Sequence, residues 1–502
     1  MALRLLKNPL FIGIAFILMM AIIYSSSRLL PFVDLPNHLA EATIFKYLLH
    51  GDPIFQSYYS MVPWFYPNTF HTYFTSLFPS VEWGDRCFFL LYLLMMPVSI
   101  FLVLKKMHGN LWVGLLVFLF IFNYNVTFGF VGYFMAIPFI MLLFYLLLPG
   151  RGVTADRSPA GMVLKALLLV MIYFMHAQAA LFAMMLLGFV HLVMYRKCLF
   201  QLWRTAVILL PVVLLFFTWW KDRGDGGEEG TLSYLLDYYL TDYFHEFGRR
   251  SAIFVLDFYH LFPKPWGYVA GALFSVAIIL PLLIFWPDVR ERLGRLTSGT
   301  GKYLLVFLCT ALVCFLFLPS KLPGQTPLFE RFSTILFLAF ILVQSVLIPE
   351  RKAVKRGIVG ITIVYMILWA QYFYQFNQVN KAFDNQFLAE PGREGLVYGL
   401  MYDHTFRGRP VYIHFPNYHT IWNRGIAASK IIDYRFGIVR RKEGGRYIPF
   451  YNEWIGVNYE TVKTRPADYL LVHGKAMPDD PNLADFTETG KAGAWTLFHR
   501  KH

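Results

Sequence analysis

Residues 10–27, LFIGIAFILMMAIIYSSS, form an apolar run that ends in three serines, and residues 31–51, PFVDLPNHLAEATIFKYLLHG, follow almost at once. The first stretch is long enough to cross the roughly 30 Å hydrocarbon core of a bilayer as a helix. It exceeds the apolar core of a typical signal peptide and is followed by further apolar runs, so we interpret it as a retained membrane span. The second stretch places Asp34, His38 and Glu41 just beyond that span.

The composition of the chain is that of a polytopic membrane protein. Of its 502 residues, 57% are hydrophobic and 15% are charged, whereas soluble proteins average about 25% charged residues. Apolar runs of spanning length recur along most of the chain. We predict about eleven spans, at residues 9–28, 87–104, 111–124, 129–148, 162–176, 178–195, 205–220, 267–286, 303–319, 332–348 and 357–376.

Basic residues alternate with the predicted spans, which indicates the orientation of the chain. One set of interspan segments is rich in lysine and arginine: Arg4, Lys7, Lys105, Lys106, Arg151, Arg157, Arg196, Lys197, Arg290, Arg292, Arg295, Arg351, Lys352, Lys355 and Arg356. By the positive-inside rule this side, with the N-terminus, is cytoplasmic. The net charge of +14 is explained by these loops, so we do not expect a nucleic-acid partner. We expect an inner membrane of bacterial type.

The long polar segments all fall on the opposite side of the membrane. They comprise loops 29–86, 221–266 and 319–331 and the C-terminal residues 377–502. Within the last segment, RPVYIHF (409–415), ADYLLVHG (467–474) and AWTLFHRK (494–501) have the β-branched and aromatic residues typical of strands. Residues 420–437 could form a helix between them. We therefore predict a small periplasmic α/β domain at 377–502, beside a transmembrane module at 1–376.

A short helix is predicted at the start of the first external loop. Asp34 can cap it through its carboxylate, Pro36 suits its first turn, and Gly51 suits its end. Residues three or four apart share a helix face, so Asp34, His38, Glu41 and Phe45 form one stripe. Asp34 could be a cap and nothing more, and the stripe could be a solvated face.

The other face of this helix and the segment after it are less polar. Leu39, Ala42 and Leu49 point away from the stripe, which suggests the membrane interface. A second amphipathic segment, SMVPWFYPNTFHTYFTSLF (60–78), follows and contains His71.

Several motifs resemble the GT-C superfamily, whose members are polytopic membrane glycosyltransferases that use polyprenyl-phosphate-linked sugars. The first span followed by DLPNHLAEA, with an acidic residue a few positions into a long external loop, is the main one. FNYNVTFGFVGYFMAIPFIMLLFYLLL (122–148) is similar to a span of that group, and FMHAQAALFAMML (174–186) is similar to its histidine-bearing outer turn. LPGQTPLFERFSTILFLAF (322–340) resembles its segment with an arginine at the start of a late span.

The resemblance implies a fold and a set of roles. The fold would be α-helical and GT-C-like, with a small C-terminal α/β external domain. The first-loop acid is the general base in the family, so Asp34 takes that role and Glu41 is the candidate second carboxylate. Many members carry two adjacent acids where this chain has Asp34 and Leu35. That difference leaves open whether a divalent metal is needed.

The leaving phosphate requires positive charge or aligned donors on the external side. Arg331 is the best candidate because a guanidinium matches phosphate oxygens bidentately, and Lys321 lies in the same loop. Arg331 could instead pair with Glu330 or anchor its span at the interface. His176, His38 and His71 are candidates for substrate binding, with a packed structural role as the alternative.

Other functions are not supported to the same degree. The chain has no P-loop, no dinucleotide-binding glycine motif, no H-E-x-x-H and no serine nucleophile elbow, so nucleotide sugars are not the expected donors. The four cysteines, Cys87, Cys198, Cys309 and Cys314, lie within or beside spans and show no metal-type spacing. A lipid or glycan transporter, or a non-catalytic subunit of an envelope assembly, remains the alternative. The expected partners are the donor, membrane lipids and an acceptor glycan, lipid or protein, with a membrane complex also open.

Overall fold

The computed structural model describes residues 8–149, 158–223, 237–255, 266–321, 327–427, 432, 437–442, 467–475 and 480–501. Four of the basic residues used for the predicted orientation, Arg4, Lys7, Arg151 and Arg157, lie outside the described residues, as do parts of loops 221–266 and 319–331.

The described helices, in chain order, are α1 Pro9–Ser25, α2 Leu35–Leu49, α3 Pro53–Tyr58, α4 Phe70–Ser76, α5 Val81–Lys106, α6 Leu111–Gly114, α7 Tyr124–Thr127, α8 Val131–Leu147, α9 Pro159–Met175, α10 Ala177–Tyr195, α11 Trp203–Arg223, α12 Tyr243–Val255, α13 Trp266–Ile284, α14 Trp286–Arg292, α15 Gly294–Thr297, α16 Gly301–Phe317, α17 Phe332–Leu347, α18 Lys352–Val379 and α19 Asn417–Asn423. The 3₁₀ turns are Leu115–Phe120, Leu199–Leu202 and Phe329–Arg331, and a π turn covers Tyr238–Asp242. The strands are β1 Tyr59–Met61, β2 Leu396–Met401, β3 Ile426–Ala427, β4 Val439–Arg441, β5 Tyr469–His473, β6 Phe486–Ala492 and β7 Trp495–Arg500.

The apolar helices coincide with the eleven predicted spans. Among the described residues, six helices are long and apolar enough to cross a membrane, and the pair Trp286–Thr297 and Gly301–Phe317, bent by 91°, adds a seventh if counted as one span. Four shorter apolar helices account for the other predicted spans: Pro9–Ser25, Leu111–Thr127, Val131–Leu147 and Pro159–Met175. The chain is a membrane protein with multiple apolar helices.

The predicted span 111–124 is not one continuous helix. α6 ends at Gly114, the chain tightens into a 3₁₀ turn over Leu115–Phe120, and α7 begins at Tyr124. The side chain of Asn123 accepts hydrogen bonds from the backbone N–H groups of Asn125 and Val126, at 2.8 and 3.4 Å. This local bonding starts a new helix where hydropathy alone indicates the middle of a span.

The chain divides into two compact units. The helical unit comprises Met1–Ile22, Leu90–Val126 and Gly132–Trp369, and the mixed unit comprises Ile23–Phe89, Thr127–Val131 and Ala370–His502. In the helical unit α17 is almost wholly buried and packs against α16 and α6. The predicted C-terminal segment 377–502 therefore falls in a unit that also contains the first loop.

The mixed unit is built on a five-stranded sheet of order β3-β2-β5-β7-β6. β2 is parallel to β3 and β5, whereas β7 is antiparallel to β5 and β6. A register shift between Glu488 and Gly490 interrupts the pairing of the edge strand β6. β1 and β4 form a separate antiparallel pair.

The core of the mixed unit joins α2 to this sheet. One cluster of buried side chains contains Ile44, Phe45 and Leu48 of α2 together with apolar residues of β2 and β5. Leu39 and Ala42 are also buried, at 4% and 0% exposure, so the expectation that they face the membrane interface was wrong. Leu49 is exposed.

The predictions for the C-terminal segment are confirmed in part. The strands expected in ADYLLVHG and AWTLFHRK are β5 and β7. Arg409 forms an isolated β-bridge with Phe406. Residues 411–416 are turns, with Phe415 N–H donating to Tyr412 O and Asn417 N–H to His414 O. Their apolar side chains are buried without strand pairing, which is why a strand was expected.

The helix expected at 420–437 is wrong for residues 424–427, whereas residues 428–431 and 433–436 lie outside the described residues. α19 begins at Asn417 and ends at Asn423, because Arg424 takes a left-handed conformation, with φ 55°. The chain then enters β3. A Cβ atom at Gly425 would lie 1.8 Å from Nε2 of His419, so only glycine fits this close return of the chain.

Candidate functional site

Asp34 occupies the N-cap position of α2, but its carboxylate makes no capping hydrogen bond. The capping role expected from the sequence was therefore wrong. Its backbone is held instead: Asp34 N–H donates to Phe128 O at 2.9 Å, and Val33 N–H donates to Thr127 O at 3.1 Å. The main chain thus fixes the residue, and the side chain is left for other contacts.

Gly129 permits this close approach. It has a φ of +77°, which L side chains rarely adopt, and a Cβ there would lie 2.7 Å from Leu35 N and 2.9 Å from Asp34 N. Any side chain would collide with the start of α2, because these neighbours are backbone atoms. The position of Asp34 thus requires glycine at residue 129.

A buried histidine faces the Asp34 carboxylate. Oδ1 of Asp34 lies 3.2 Å from Nε2 of His414, and the two side chains are 24% and 1% exposed respectively. A partly exposed carboxylate beside an enclosed imidazole can take a proton from a substrate and share its charge with the ring. His414 belongs to the turn segment 411–416, and the sequence analysis did not single it out.

Glu41 is enclosed and does not lie on a solvated face. Its Oε1 accepts hydrogen bonds from the N–H groups of Ile438 and Val439, at 2.7 and 3.3 Å, and Thr72 donates to Oε2 at 3.3 Å. Burial raises the pKa of this carboxyl to about 7, and these three hydrogen bonds oppose the rise. The carboxyl is therefore about half protonated near pH 7, and its hydrogen bonds anchor β4 to α2.

A second buried carboxylate–histidine pair lies beside His38. Nε2 of His71 is 3.0 Å from Oδ1 of Asp85, and Tyr24 donates to Oδ2 of Asp85 at 2.9 Å. The rings of His38 and His71 meet edge to face with centroids 5.9 Å apart. Among the described residues, Nδ1 of His71 has no hydrogen-bond partner. Asp85 thus orients a buried imidazole whose second nitrogen is enclosed and keeps its hydrogen-bonding capacity unused.

The helical unit brings together two other predicted residues, Arg331 and His176. Nη1 of Arg331 lies 2.7 Å from Nε2 of His176, and the guanidinium stands over the ring of Tyr133, 6.0 Å from its centroid. Asn125 donates to the backbone oxygen of Arg331 at 3.0 Å. Asn125 thus holds the backbone, and His176 and Tyr133 contact the guanidinium. Arg331 is only partly buried, so this guanidinium can still meet a phosphate.

Glu330 is bound to another arginine. Its Oε1 accepts from Arg249 at 2.8 Å and from Ser320 at 3.0 Å, and the side chain is fully buried. Glu330 therefore holds Arg249 against the start of α17. Lys321, the remaining predicted residue of this loop, is exposed.

The residues that the sequence analysis missed are partners of those it named. His414 and Asp85 face Asp34 and His71, and Tyr133 and Asn125 support Arg331. Only Asp85 carried a local signal, because it is an acid at the edge of an apolar run. In the described part of the chain, no three histidine, cysteine, aspartate or glutamate side chains are grouped as a metal site would require.

Comparison with known proteins gives a likeness of fold. Two crystal structures of ArnT from Cupriavidus metallidurans, one bound to undecaprenyl phosphate and one in the apo state, match this chain with a TM-score of 0.54 and 12% sequence identity. The match covers 97% of this chain and 97% of theirs. It confirms the predicted fold, a polytopic helical membrane protein with a small C-terminal sheet region, and shows that this fold is like that of ArnT.

The sequence itself gives no such match. No protein-family model matches the chain, and no curated protein matches it.

Proposed function

We propose that this protein is a membrane glycosyltransferase that moves a sugar from a polyprenyl-phosphate carrier to a hydroxyl or amine acceptor. The observation that carries the proposal is the likeness of fold, along 97% of both chains, to a protein crystallised with undecaprenyl phosphate. The contacts of two predicted residues also support it: Asp34 lies beside His414, and Arg331 lies beside His176. The reaction takes place on the outer face of an inner membrane, with the N-terminus cytoplasmic and residues 377–502 in the periplasm.

Asp34 is the general base of the proposed reaction. The acceptor oxygen or nitrogen attacks the anomeric carbon while the bond from that carbon to the phosphate oxygen breaks. The acceptor proton passes to the Asp34 carboxylate, and the sugar inverts its configuration in a single displacement. Two features support this role: the backbone of Asp34 is fixed by Phe128, and its carboxylate is partly exposed beside His414.

Arg331 receives the charge that develops on the leaving phosphate. Its guanidinium is held by His176 and Tyr133 and can offer two parallel N–H groups to phosphate oxygens. His71, oriented by Asp85, and His38 bind the acceptor or the sugar. Glu41 is enclosed by Thr72 and β4, which favours a supporting part over direct proton transfer.

The proposal is tested on the full chain in nanodiscs. Binding of undecaprenyl phosphate is measured by native mass spectrometry, and turnover is measured as its release from a panel of undecaprenyl-phosphate hexoses and pentoses. We expect Asp34→Asn to bind the lipid phosphate like wild type and to lose about 100-fold or more in turnover. Arg331→Ala should weaken binding, whereas Asp485→Asn, at an exposed carboxylate, should change neither.

Two results would contradict the proposal. If wild type does not bind undecaprenyl phosphate, the chain has no donor of this class, and a transporter or an assembly subunit becomes the better interpretation. If Asp34→Asn turns over the donor as fast as wild type, Asp34 is not the base.

A further inference from the structure

An apolar groove opens between α1 and α5, within the helical unit. Its volume is about 350 Å³, and its lining includes Gly13, Ile14, Val98, Phe101, Leu102 and Lys105. Ile14 and Leu102 are exposed, at 56% and 36%, as expected for side chains that face lipid. A single ammonium group therefore stands in an otherwise apolar lining.

Gly13 creates much of the space. A Cβ at this position would already touch the ring of Phe101, at 3.4 Å, and the side chain of Leu115, at 3.7 Å. A larger side chain there would extend into the groove. The width of the groove at this point therefore depends on Gly13, and a larger side chain there should narrow the groove.

Lys105 differs from the basic residues around it. Lys106 donates to the backbone oxygen of Tyr145 at 2.8 Å, and Arg351 pairs with Asp288 at 3.3 Å. Within the ranges that the structure describes, the side chain of Lys105 makes no hydrogen bond or ion pair. An exposed ammonium at the end of an apolar groove is complementary to an anionic headgroup above an acyl chain.

The groove lies far from the arginine proposed to hold the donor phosphate. Arg331 directly precedes α17, whereas Ser345, near the other end of α17, accepts from Asn110 N–H at 2.7 Å. Leu111, the next residue, lines the groove. Fourteen residues of helix separate Arg331 from Ser345, which is roughly 21 Å along the axis. One lipid phosphate cannot be held by Arg331 and Lys105 together.

We propose that this groove binds an anionic phospholipid, with one acyl chain between α1 and α5 and the headgroup on Lys105. The lipid belongs to the leaflet opposite the one whose phosphate Arg331 would meet. This inference goes beyond the proposed glycosyl transfer and does not depend on it, because it concerns lipid binding alone.

The test measures lipid retained by the full-length protein in detergent, using native mass spectrometry. Phosphatidylglycerol and phosphatidylcholine with identical acyl chains are supplied at equal concentration. We expect wild type to prefer phosphatidylglycerol by about fivefold, the contribution of one lysine near an anionic surface. Lys105→Ala should abolish the preference, and Lys352→Ala, at an exposed lysine outside the groove, should keep it.

Two further variants separate the groove from the charge. Gly13→Leu should reduce retention of both lipids by filling the groove, and Val98→Phe narrows it from α5 if Gly13→Leu fails to fold. The proposal is overturned if wild type shows no preference, if Lys105→Ala retains it, or if both filled variants hold lipid like wild type. Displacement of phosphatidylglycerol by equimolar undecaprenyl phosphate would also overturn it, because the groove would then hold the donor chain.

Discussion

Nε2 of His176 lies 2.7 Å from the guanidinium of Arg331, while Nδ1 of the same ring accepts the backbone N–H of Gln178 at 3.2 Å. A neutral imidazole has one acceptor nitrogen, so it cannot accept both hydrogen bonds at once. The ring therefore has two competing tasks, as the N-cap of α10 and as the partner of Arg331. A phosphate bound to Arg331 would accept the guanidinium N–H, so His176 would need to accept only the hydrogen bond from Gln178.

Substitution of His176 should separate these two tasks. Asparagine is a good N-cap and alanine is a poor one, so His176→Ala should be less stable than His176→Asn by about 1 kcal/mol. Neither side chain replaces the imidazole beside Arg331, so both variants should lose affinity for undecaprenyl phosphate by a similar factor, on the order of fivefold. Thermal unfolding and native mass spectrometry give the two quantities. Equal stability with unequal affinity would refute this division of tasks.

Asp85 should matter to turnover more than to folding. Its carboxylate accepts a hydrogen bond from Nε2–H of His71 and so leaves Nδ1 as an acceptor. In Asp85→Asn the amide can donate to Nε2, which moves the imidazole proton to Nδ1. We expect kcat to fall roughly 10- to 100-fold, with little change in KM.

The control for Asp85→Asn is Tyr24→Phe, which removes the 2.9 Å hydrogen bond to Asp85 and keeps the carboxylate on His71. Its kcat should stay within a few fold of wild type. If kcat falls as far as in Asp85→Asn, turnover depends on the intact Tyr24–Asp85–His71 hydrogen bonds and not on the tautomer of His71.

Gly129→Ala should displace the start of α2. The new Cβ would lie 2.7 Å from Leu35 N, in addition to the strain of a φ of +77°. Gly392→Ala is the matched control, because its φ is +62° but a Cβ there meets open space. Both variants should lose stability through backbone strain, of order 1 kcal/mol. Only Gly129→Ala should also lose turnover; equal turnover in the two would mean that Asp34 does not depend on this contact.

Glu41 should make stability depend on pH. Burial raises its pKa from 4.5 to about 7, so between these values the folded chain keeps a proton that the unfolded chain has released. Stability should therefore fall as pH rises from about 4.5 to about 7, by about 3 kcal/mol in total, and this group adds no further change above that range. Unfolding midpoints in detergent at pH 5 and pH 7.5 measure the effect.

The controls for Glu41 are two glutamine variants. Glu41→Gln cannot titrate and should lose this part of the pH dependence, whereas Glu488→Gln, at an exposed position of β6, should retain it. An unchanged pH dependence in Glu41→Gln would assign the effect to another group.

The spans and the helix after the first span could be predicted because their signals are local. An apolar run of spanning length is visible in residues 10–27, and Leu35–Leu49 is marked by Pro36 and Gly51. β2 was missed because all six of its residues are buried; a central strand does not alternate.

The partners of the candidate site could not be predicted, because they come from distant parts of the chain. Asp34 contacts His414, and Glu41 accepts a hydrogen bond from Ile438, which lies 397 residues further along the chain. Even the capping role of Asp34, a local inference, failed, because the hydrogen bond from its N–H to Phe128 fixes the backbone in another conformation. The sequence indicates which residues can do chemistry, and tertiary structure decides which of them meet.

The edges of the five-stranded sheet bear on how copies of this protein behave when crowded in one membrane. Among the described residues, β3 at one edge pairs over Ile426–Ala427, and β6 at the other edge has a shifted pairing between Glu488 and Gly490, with charged Lys491 beyond. A short strand and an irregular, charged strand are poor templates for a neighbouring chain. The described edges of this sheet therefore disfavour the addition of a strand from an adjacent molecule.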